Sequence, residues 1–557
     1  LPVADYGAAL RHGLLDAPPA HYTDAQWEVL TALEPLLKLA LAQLEVVFRS
    51  RGEVDFTEVS RRALDALGTG DAPTDLALAL DYRIRHLLVD EFQDTSISQY
   101  ELIARLTAGW EPGDARTLFA VGDPMQSIYR FREAEVGEFL STWKSGRLGE
   151  VDVERVRLKA NFRSQAGVVE WVNAAFAQVM PASEDAAAGA VPYADSTAVH
   201  AALGGDAVTV HPFFNGDFEG EAKRVVELVA RVRSEAPDST VAILVRNRAH
   251  LSEIVAALRD AGLRFRAVEI TSLDRRPVVQ DLHSLARALA HPADRLAWLS
   301  ILRAPWCGLS LDELHHLVVP AQAGTQTIFE LMAAAPRLSR IYEILSTALS
   351  NRLRGSLRDR VESAWLALGG PACVEDGTGL EDAAVYLDAL EDAEEAGAIA
   401  DLAAFEERLE DLWALPDVNA APNDVQIMTI HKAKGLEFDT VIVHGLGRPP
   451  RGDEKRLFLW MERPSSSPRR RGPGDLLVAP IEETGSDADA IYSCLKKLDA
   501  DRAGYEAARL LYVAATRAKS RLHLLGGVSA KSAMPAKNSL LASLWPAVEP
   551  AFASLVV

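Results

Sequence analysis

Two short apolar runs that stop at acidic residues constrain the fold of this chain more than any other feature. Residues 84–89 stop at Asp90, and residues 117–121 are followed closely by Asp123. A helical segment, residues 97–106, separates the two runs. The order strand, helix, strand with acids at the strand ends is typical of a parallel α/β sheet. Ligands in such sheets bind at the carboxyl ends of strands, so we expect a site beside these acids.

Length and composition fit several globular domains and exclude a surface that is basic throughout. At about 150 residues per domain, 557 residues predict three to four domains. The net charge is −21, so any contact with nucleic acid must be local. No apolar run reaches the roughly 20 residues of a membrane span, and we expect no membrane partner. The three scattered cysteines predict reduced thiols and a cytoplasmic protein.

A second α/β block follows the first and is interrupted by a stretch without strands. Its candidate strands are residues 207–210, 241–245, 425–430, 440–443 and 521–525. The Ala- and Leu-rich stretch 280–420 predicts a helical insertion. Near the start, apolar residues spaced three and four apart predict a helix with a kink or break at Pro35, and a second helix capped at Thr57. The Pro-, Ser- and Arg-rich stretch 447–475 predicts a loop.

Asp90 and Glu91 suit the hydrolysis of a nucleotide. Adjacent side chains on an extended chain point to opposite sides, so one acid can hold Mg²⁺ while its neighbour positions a water. An acid pair alone is more often only a polar strand end. Gln126 follows the second strand, and a glutamine can sense a terminal phosphate or orient water. Arg163 and Arg517, in two separate motif-like segments, can converge on a γ-phosphate, although a lone arginine is ordinarily a surface residue.

Two other segments suit contacts with a nucleic-acid strand. Tyr129, Phe131 and Arg132 interleave aromatic and basic groups, which suits stacking on bases and contact with phosphates without sequence preference. Core packing is the alternative for each aromatic taken singly. Thr429 and His431 lie in a loop whose hydroxyl, imidazole and ammonium groups suit phosphate contacts. A structural hydrogen bond is the alternative for His431.

Taken together and in this order, the segments resemble superfamily-1 helicases of the UvrD/RecB type. Five linked motifs carry the resemblance, which covers residues 50–530. It implies an α/β fold with two RecA-like P-loop NTPase motor domains, the first incomplete here, and helical insertion domains. It also implies ATP and Mg²⁺ as cofactors and 3′-to-5′ translocation on single-stranded DNA in repair or recombination. The segment 54–56, the stretch 447–500 and the helical insertion look closer to the RecB/AddA branch.

The resemblance also implies three groups of site residues. Those at the reacting phosphate are Asp90 as the Mg²⁺ ligand, Glu91 as the activator of water, Gln126 as the reader of the γ-phosphate, and Arg163 and Arg517 as arginine fingers. Those that hold the nucleotide are Phe162, which stacks on adenine, Gly435, and Glu437, which touches the ribose. Those that face DNA or couple it to the ATP site are Tyr129, Phe131, Arg132, Thr429 and His431.

The family opens with a phosphate loop, G-x-x-x-x-G-K-[ST], and residues 1–90 contain none. We therefore interpret the chain as a helicase truncated at its N-terminus and not competent for ATP hydrolysis. The alternative is a non-catalytic DNA-binding scaffold that derives from a helicase and serves as one subunit of an assembly. Residues after 530 show no candidate nuclease cluster, so we expect no nuclease in this chain. The expected partners are single-stranded DNA and duplex junctions, and a further candidate is a nuclease or helicase subunit.

The expected domains follow from the placement of these motifs. They are a helical remainder of the first motor domain at 1–80, an incomplete first motor domain at 81–155, the second motor domain at 156–285 and 421–545, the helical insertion at 286–420, and a tail at 546–557.

Overall fold

The structure of the chain is a computed structural model. It describes residues 21–69, 72–267, 272–318, 327–352, 354–374, 377–394, 399, 402–412, 424–450, 456–463, 475–480 and 489–553. In chain order the helices are α1 (Asp24–Arg51), α2 (Phe56–Leu67), α3 (Asp75–Arg83), α4 (Ile97–Leu106), α5 (Val136–Ser145), α6 (Ala166–Val179), α7 (Phe218–Glu235), α8 (Ser252–Asp260), α9 (Pro277–Ala290), α10 (Arg295–Arg303), α11 (Leu311–Val318), α12 (Ile328–Ala333), α13 (Ser339–Ser350), α14 (Leu357–Leu368), α15 (Gly377–Asp392), α16 (Leu402–Asp411), α17 (Ile430–Ala433), α18 (Ala490–Ala515) and α19 (Leu540–Ala553).

The strands are short, and most of them pair in parallel. They are β1 (Gly68–Thr69), β2 (Ala72–Pro73), β3 (His86–Val89), β4 (Thr117–Ala120), β5 (Arg147–Leu148), β6 (Val151–Asp152), β7 (Ala160–Gln165), β8 (Thr197–His200), β9 (Val208–Phe214), β10 (Val241–Val245), β11 (Phe265–Ala267), β12 (Val425–Thr429), β13 (Phe438–Val443), β14 (Phe458–Arg463), β15 (Asp475–Pro480) and β16 (Ala518–Val528). The described residues divide into two compact units: a first unit up to Glu221 and from Ile430 onward, and a second unit from Ala222 to Thr429.

The predicted strand, helix, strand segment follows α3 in the first unit. β3 and β4 pair in parallel with α4 between them in sequence, and α4 has the predicted bounds. One face of the pair packs on a small core built around Phe92, Ile103 and Leu148. On the opposite face Leu88 is 74% exposed and Phe119 is 61% exposed. Parallel sheets are ordinarily covered on both faces, and among the described residues none covers this apolar surface.

A three-stranded parallel arrangement forms the rest of the first unit's core. The central strand β16 pairs with β9 on one side and with β13 on the other. Its neighbour α18 buries its C-terminal turns, residues 507–515, and ends just before Thr516. The packing of that end therefore decides where Arg517 can lie.

The second unit combines a small parallel sheet with a helical region. β12 pairs in parallel with β10 and with β11, and every residue of β10 is buried, as its unbroken apolar run predicts. The described part of 277–411 contains helices and short turns, as expected for the stretch 280–420. In α9 the apolar residues spaced three and four apart face a core that also contains Trp298 and Tyr386.

Two local predictions were wrong, and of the kink or break expected at Pro35 the break does not occur. α1 runs through Pro35 without a break, because a proline removes a single N–H donor and the turns on either side keep theirs. α2 is capped by Asp55, whose carboxylate accepts from the N–H of Glu58 at 2.7 Å, so Thr57 lies inside the first turn. Residues 458–463, within the predicted loop, form β14, which pairs antiparallel with β15. The α/β class itself is confirmed. In the described part of the chain no helix is both long and apolar enough to cross a bilayer.

Candidate functional site

The ends of β3 and β4 are joined by backbone hydrogen bonds. The N–H of Val121 donates to the carbonyl of Val89 at 2.8 Å, and the N–H of Phe92 donates to the carbonyl of Val121 at 2.8 Å. This pairing places the acids that follow β3 beside Gly122 and Asp123, which follow β4. The structure thus brings together the two strand ends that the sequence predicted to form a site.

Glu91 does not continue the strand. Its φ of 51° and ψ of 39° are left-handed, a conformation that costs a non-glycine residue about 1 kcal/mol or more. The carboxylate of Asp90 accepts a 2.8 Å hydrogen bond from the N–H of Glu91. From the sequence, strand alternation was expected to separate the two carboxylates. In the structure a strained turn separates them, and a residue held in such a conformation is typical of functional sites.

Gln93 joins the two strand ends and was missed by the sequence analysis. Its side chain is fully buried, its Nε2 donates to the carboxylate of Glu91, and its Oε1 accepts from the N–H of Asp123 at 2.9 Å. A Cβ on Gly122 would lie 2.3 Å from that Oε1, so only glycine leaves room for the amide. The one signal in the sequence is its place two residues after the acid pair.

Asp123 and Gln126 extend this connection. Oδ2 of Asp123 accepts from Nε2 of Gln126 at 2.8 Å, and Oε1 of Gln126 accepts from Nη2 of Arg517 at 3.1 Å. Burial raises the pKa of the Asp123 carboxyl, and the hydrogen bond from Gln126 opposes that rise. A continuous chain of hydrogen bonds therefore runs through Glu91, Gln93, Asp123, Gln126 and Arg517.

Arg517 is a buried arginine whose donors are shared among several acceptors. Its Nε donates to the carbonyl of Val513 at 3.1 Å, its Nη1 to the carbonyl of Leu436 at 3.2 Å, and its Nη2 also to the hydroxyl of Thr516 at 3.1 Å. Burial lowers its pKa to about 10, and the neighbouring Arg163 acts in the same direction. The guanidinium therefore stays charged at neutral pH and is held in one position.

Arg163 and Glu437 contact each other. The sequence predicted Arg163 at the γ-phosphate and Glu437 at the ribose of a nucleotide. Nε of Arg163 donates to Oε2 of Glu437 at 3.0 Å, and this hydrogen bond lowers the pKa of the Glu437 carboxyl. Lys519 lies 3.7 Å from the other carboxylate oxygen. The amide oxygen of Asn161 accepts the N–H of Arg163 at 3.0 Å, which fixes the turn that presents the arginine.

Phe162 and Gly435 are both accessible. The Phe162 side chain is 71% exposed, while its carbonyl accepts from His200 at 2.8 Å. An aromatic ring that is exposed on a fixed backbone can stack on a planar ligand. Gly435 has a φ of 83°, and no atom lies within 4 Å of the Cβ that another residue would add. The backbone conformation requires a glycine at this position, and the lack of a side chain leaves open space beside the loop.

Lys434 was not among the predicted site residues. Its ammonium group forms an ion pair with Asp94 and lies 3.3 Å from Oε2 of Glu91, while its side chain is almost fully buried. Burial raises the pKa of Asp94, and the ion pair with Lys434 counteracts that rise. A cation therefore lies directly beside the carboxylate predicted to activate water.

The predicted DNA-facing side chains of the first unit form one cluster. The aromatic cluster comprises Tyr129, Phe131, Arg132 and His431. The Phe131 and His431 rings meet edge to face with centroids 5.5 Å apart, and Arg132 lies over the Tyr129 and Phe131 rings at 5.5 and 5.6 Å. Phe131 is 66% exposed, so the cluster offers both a π-face and a positive charge to a ligand. Thr429 is the last residue of β12 in the second unit.

The residues present fit a magnesium ion that arrives with a nucleotide. Within the described ranges, no group of three or more His, Cys, Asp or Glu side chains is arranged to hold a metal. Mg²⁺ needs only one or two protein carboxylates when phosphates and waters supply its other ligands. Asp90, exposed at the end of β3, can supply one such carboxylate.

Comparison with protein families defines the class of this protein. Residues 19–145 match the UvrD/REP helicase N-terminal domain, and residues 156–335 and 384–526 match the UvrD-like helicase C-terminal domain. The fold and the matched domains are those of an α/β helicase. The chain belongs to the UvrD-like helicase family, and the resemblance to superfamily-1 helicases of the UvrD/RecB type is confirmed.

Several curated proteins are similar over most of this chain. The A subunits of ATP-dependent helicase/nucleases are 27% identical in Bacillus cytotoxicus, 29% in Exiguobacterium sibiricum and 28% in Bacillus cereus. The matches cover 90%, 86% and 90% of this chain, and 44%, 43% and 44% of the relatives. The chain therefore spans less than half the length of these relatives.

Proposed function

We propose that this chain is part of an ATP-dependent DNA helicase that moves 3′ to 5′ along single-stranded DNA in repair or recombination. The observation that carries the proposal is the hydrogen-bonded chain from Glu91 to Arg517. It links a carboxylate at the end of β3, a glutamine after β4 and an arginine after α18. These are the groups that phosphoryl transfer to water requires: a water-positioning acid, a phosphate-sensing amide and a fixed cation.

In this proposal the side chains at the reacting phosphate have separate roles. Asp90 holds Mg²⁺, which supplies positive charge to the phosphates of ATP. Glu91 positions the attacking water, and Gln93 fixes the Glu91 carboxylate. Gln126 and Arg517 meet the γ-phosphate.

Arg163 also contacts the γ-phosphate from its turn. The remaining residues of the site hold the adenine and the ribose of the nucleotide. Phe162 stacks on the adenine, Glu437 accepts from the ribose, and Gly435 gives the nucleotide room.

The aromatic cluster receives the DNA strand in this proposal. Phe131 and Tyr129 stack on bases, while Arg132 and His431 meet phosphates, together with Thr429. Such contacts need few basic residues, so they agree with a net charge of −21. Duplex junctions and another protein with nuclease or helicase activity are the further partners that we propose for the cytoplasmic assembly.

The domain organisation of the motor is part of the proposal. Two RecA-like domains bind ATP between them, the first one incomplete within these residues, with 286–420 inserted in the second. The uncovered face of β3 and β4, with Leu88 and Phe119 exposed, supports this view. We propose that a segment carrying the phosphate loop covers that face in a longer protein.

A non-catalytic scaffold is the second candidate, favoured by one observation. Residues 1–90 contain no G-x-x-x-x-G-K-[ST], so the chain has no cradle of its own for the β- and γ-phosphates. Such a scaffold binds DNA through the aromatic cluster and hydrolyses no ATP, either as this chain or as part of a longer protein.

ATP hydrolysis and DNA binding separate the two candidates. We expect the 557-residue chain to bind an oligo-dT strand with negligible ATPase, and a longer protein that adds a phosphate loop to show DNA-stimulated ATPase. In that protein Glu91→Gln should abolish turnover and leave nucleotide binding intact, whereas Glu101→Gln, on an exposed helix face, should change neither. Normal turnover of Glu91→Gln would contradict the assignment of the water-positioning acid. DNA binding without ATPase in the longer protein would favour the scaffold.

A further inference from the structure

Strand β7 carries a bulge at residues 162–164. In the pairing of β7 with β8, Asn161 lies opposite Ala198. The next pair in register is Gln165 and His200, so three residues of β7 face a single residue of β8. The extra residues must bend out of the ladder, and such a bulge turns side chains away from the directions of a regular strand. The shape of the bulge therefore decides where its side chains point.

The two ends of the bulge are held by different side chains. At the C-terminal end, the amide oxygen of Asn161 accepts the N–H groups of Arg163 and Ser164, both at 3.0 Å. At the N-terminal end, Nε2 of His200 donates to the carbonyl of Phe162 at 2.8 Å. Since a carbonyl can only accept, the imidazole carries a hydrogen on Nε2. His200 thus closes the bulge from the neighbouring strand.

The Phe162 ring depends on its backbone for its direction. Its side chain is mostly exposed, so packing constrains it little and its direction follows from the peptide that carries it. The hydrogen bond from His200 fixes the carbonyl of that peptide. Arg163 differs, because its guanidinium donates to Glu437 and its N–H is held by Asn161. Loss of the His200 bond should therefore release the ring and leave the arginine in place.

We propose that His200 is a positioning residue for the nucleotide, which holds the Phe162 ring in the direction needed to stack on the base. His200 lies in β8, outside the motifs that carry the resemblance, and the sequence gave no reason to select it. Its role rests on the proposed function, because it requires that Phe162 stacks on adenine. Affinity for the base then depends on closure of the bulge, while other residues hold the phosphates.

Hydrogen–deuterium exchange of the purified 557-residue chain tests the closure of the bulge without ATP. The N–H groups of Arg163 and Ser164 are protected by Asn161 while the bulge keeps its shape. The side chain of His200→Asn is too short to reach the carbonyl, so we expect the peptide that spans 160–165 to exchange about three- to tenfold faster. His200→Gln places an amide nitrogen at the reach of Nε2 and should keep the exchange rate of the unaltered chain.

Steady-state ATPase of a longer protein that adds a phosphate loop tests the link to the nucleotide. We expect His200→Asn to raise the KM for ATP about three- to tenfold and to leave kcat unchanged, because the residues at the reacting phosphate keep their contacts. Inhibition by magnesium tripolyphosphate, which has no base, should be unaltered. His86→Ala removes another exposed histidine with a side-chain hydrogen bond, at the first residue of β3, and should change neither constant.

A double variant shows whether His200 acts through the ring. Phe162→Ala should itself raise the KM for ATP about tenfold, which corresponds to one lost stacking contact. In that background His200→Asn should add nothing, since two changes that act through one contact are not additive. An equal increase in both backgrounds overturns the positioning role. An increase in His200→Gln that equals that of His200→Asn also overturns it, because the hydrogen bond is then not the cause.

The outcomes separate the role of His200 from the proposed function. Unchanged exchange in His200→Asn, or faster exchange with an unchanged KM, overturns the role of His200 alone. A KM that Phe162→Ala leaves unchanged overturns the stacking of Phe162 on adenine and the role of His200 together. No ATP turnover in the longer protein overturns both the proposed function and the role of His200.

Discussion

Nη2 of Arg517 donates a 3.1 Å hydrogen bond to Oε1 of Gln126, although 391 positions separate the two residues. The bond connects the residue after the Thr516 cap of α18 with the turn after β4. Both partners make further contacts, and Gln126 also donates to Asp123. The glutamine is therefore the point at which a buried cation and a half-buried acid are joined.

Removing this amide should destabilise the first unit. We predict that Gln126→Leu lowers the free energy of unfolding by about 1–3 kcal/mol, because it leaves a buried donor of Arg517 and an oxygen of the half-buried Asp123 short of a partner. Urea unfolding followed by circular dichroism measures the change. Gln178→Leu, which removes an amide from an exposed helix face, should stay within about 0.5 kcal/mol. Equal effects of the two changes would contradict the prediction.

Two glycines should respond to alanine with opposite signs. At Gly122 a Cβ would lie 2.3 Å from Oε1 of Gln93 and 3.1 Å from both its backbone nitrogen and the Phe139 ring. Since Gln93 is buried and hydrogen-bonded at both ends, it cannot move aside, and we predict a loss of about 1–3 kcal/mol in Gly122→Ala. Gly504 lies within α18 with no atom within 4 Å of an added Cβ. Gly504→Ala should raise the melting temperature, with a gain of up to about 1 kcal/mol.

The sequence was sufficient for elements whose signals are local. The apolar runs before Asp90 and before Gly122 predicted β3 and β4, and the helical segment predicted between them has the observed bounds of α4, 97–106. A capping box at Ser96 explains why that helix begins where it does. The other five predicted strands correspond to β9, β10, β12, β13 and β16, with ends displaced by a few residues, whereas β7, β8 and β11 were not predicted.

The contacts that organise the site have no local signal. Lys434 and Asp94 are 340 positions apart, and Arg163 and Glu437 are 274 apart, so only the folded chain pairs them. The left-handed conformation of Glu91 runs against the preference of a glutamate, and no sequence pattern predicts it. The placement of each predicted residue in the catalytic, nucleotide and DNA groups stays a prediction.

Asp281 in α9 should make the stability of the second unit depend on pH. Burial raises the pKa of its carboxyl to about 6, so the folded state holds the proton more tightly than the unfolded state does. The folded state therefore loses stability as the pH rises from about 4 through about 6. Asp281→Asn lacks this loss, and we predict that it is more stable than the unaltered chain by about 1 kcal/mol at pH 8, allowing for the water that still reaches the carboxylate.

Urea unfolding at pH 4 and pH 8 measures that difference. The advantage of Asp281→Asn should be small at pH 4 and grow toward pH 8. Asp388→Asn, which changes an exposed carboxyl of the same unit, is the control. An advantage that is the same at both pH values would show that the substitution acts through packing and not through the proton.

Phe131 should contribute directly to the binding of single-stranded DNA. Its ring is mostly exposed and is fixed by the edge contact with His431 and by Arg132, so it can stack on a base without reordering. We predict that Phe131→Ala weakens the binding of oligo-dT about tenfold, which corresponds to one lost stacking contact. Fluorescence anisotropy at two salt concentrations measures both the affinity and its salt dependence.

The salt dependence separates stacking from charge. Phe131→Ala removes no charge, so the slope of log affinity against log salt should stay unchanged, whereas Arg132→Ala should reduce it. Phe56→Ala removes a ring at the start of α2 that is even more exposed than that of Phe131, and it should leave the affinity unaltered. Equal weakening by Phe131→Ala and Phe56→Ala would mean that the strand is not bound at the aromatic cluster, because only one of these rings belongs to it.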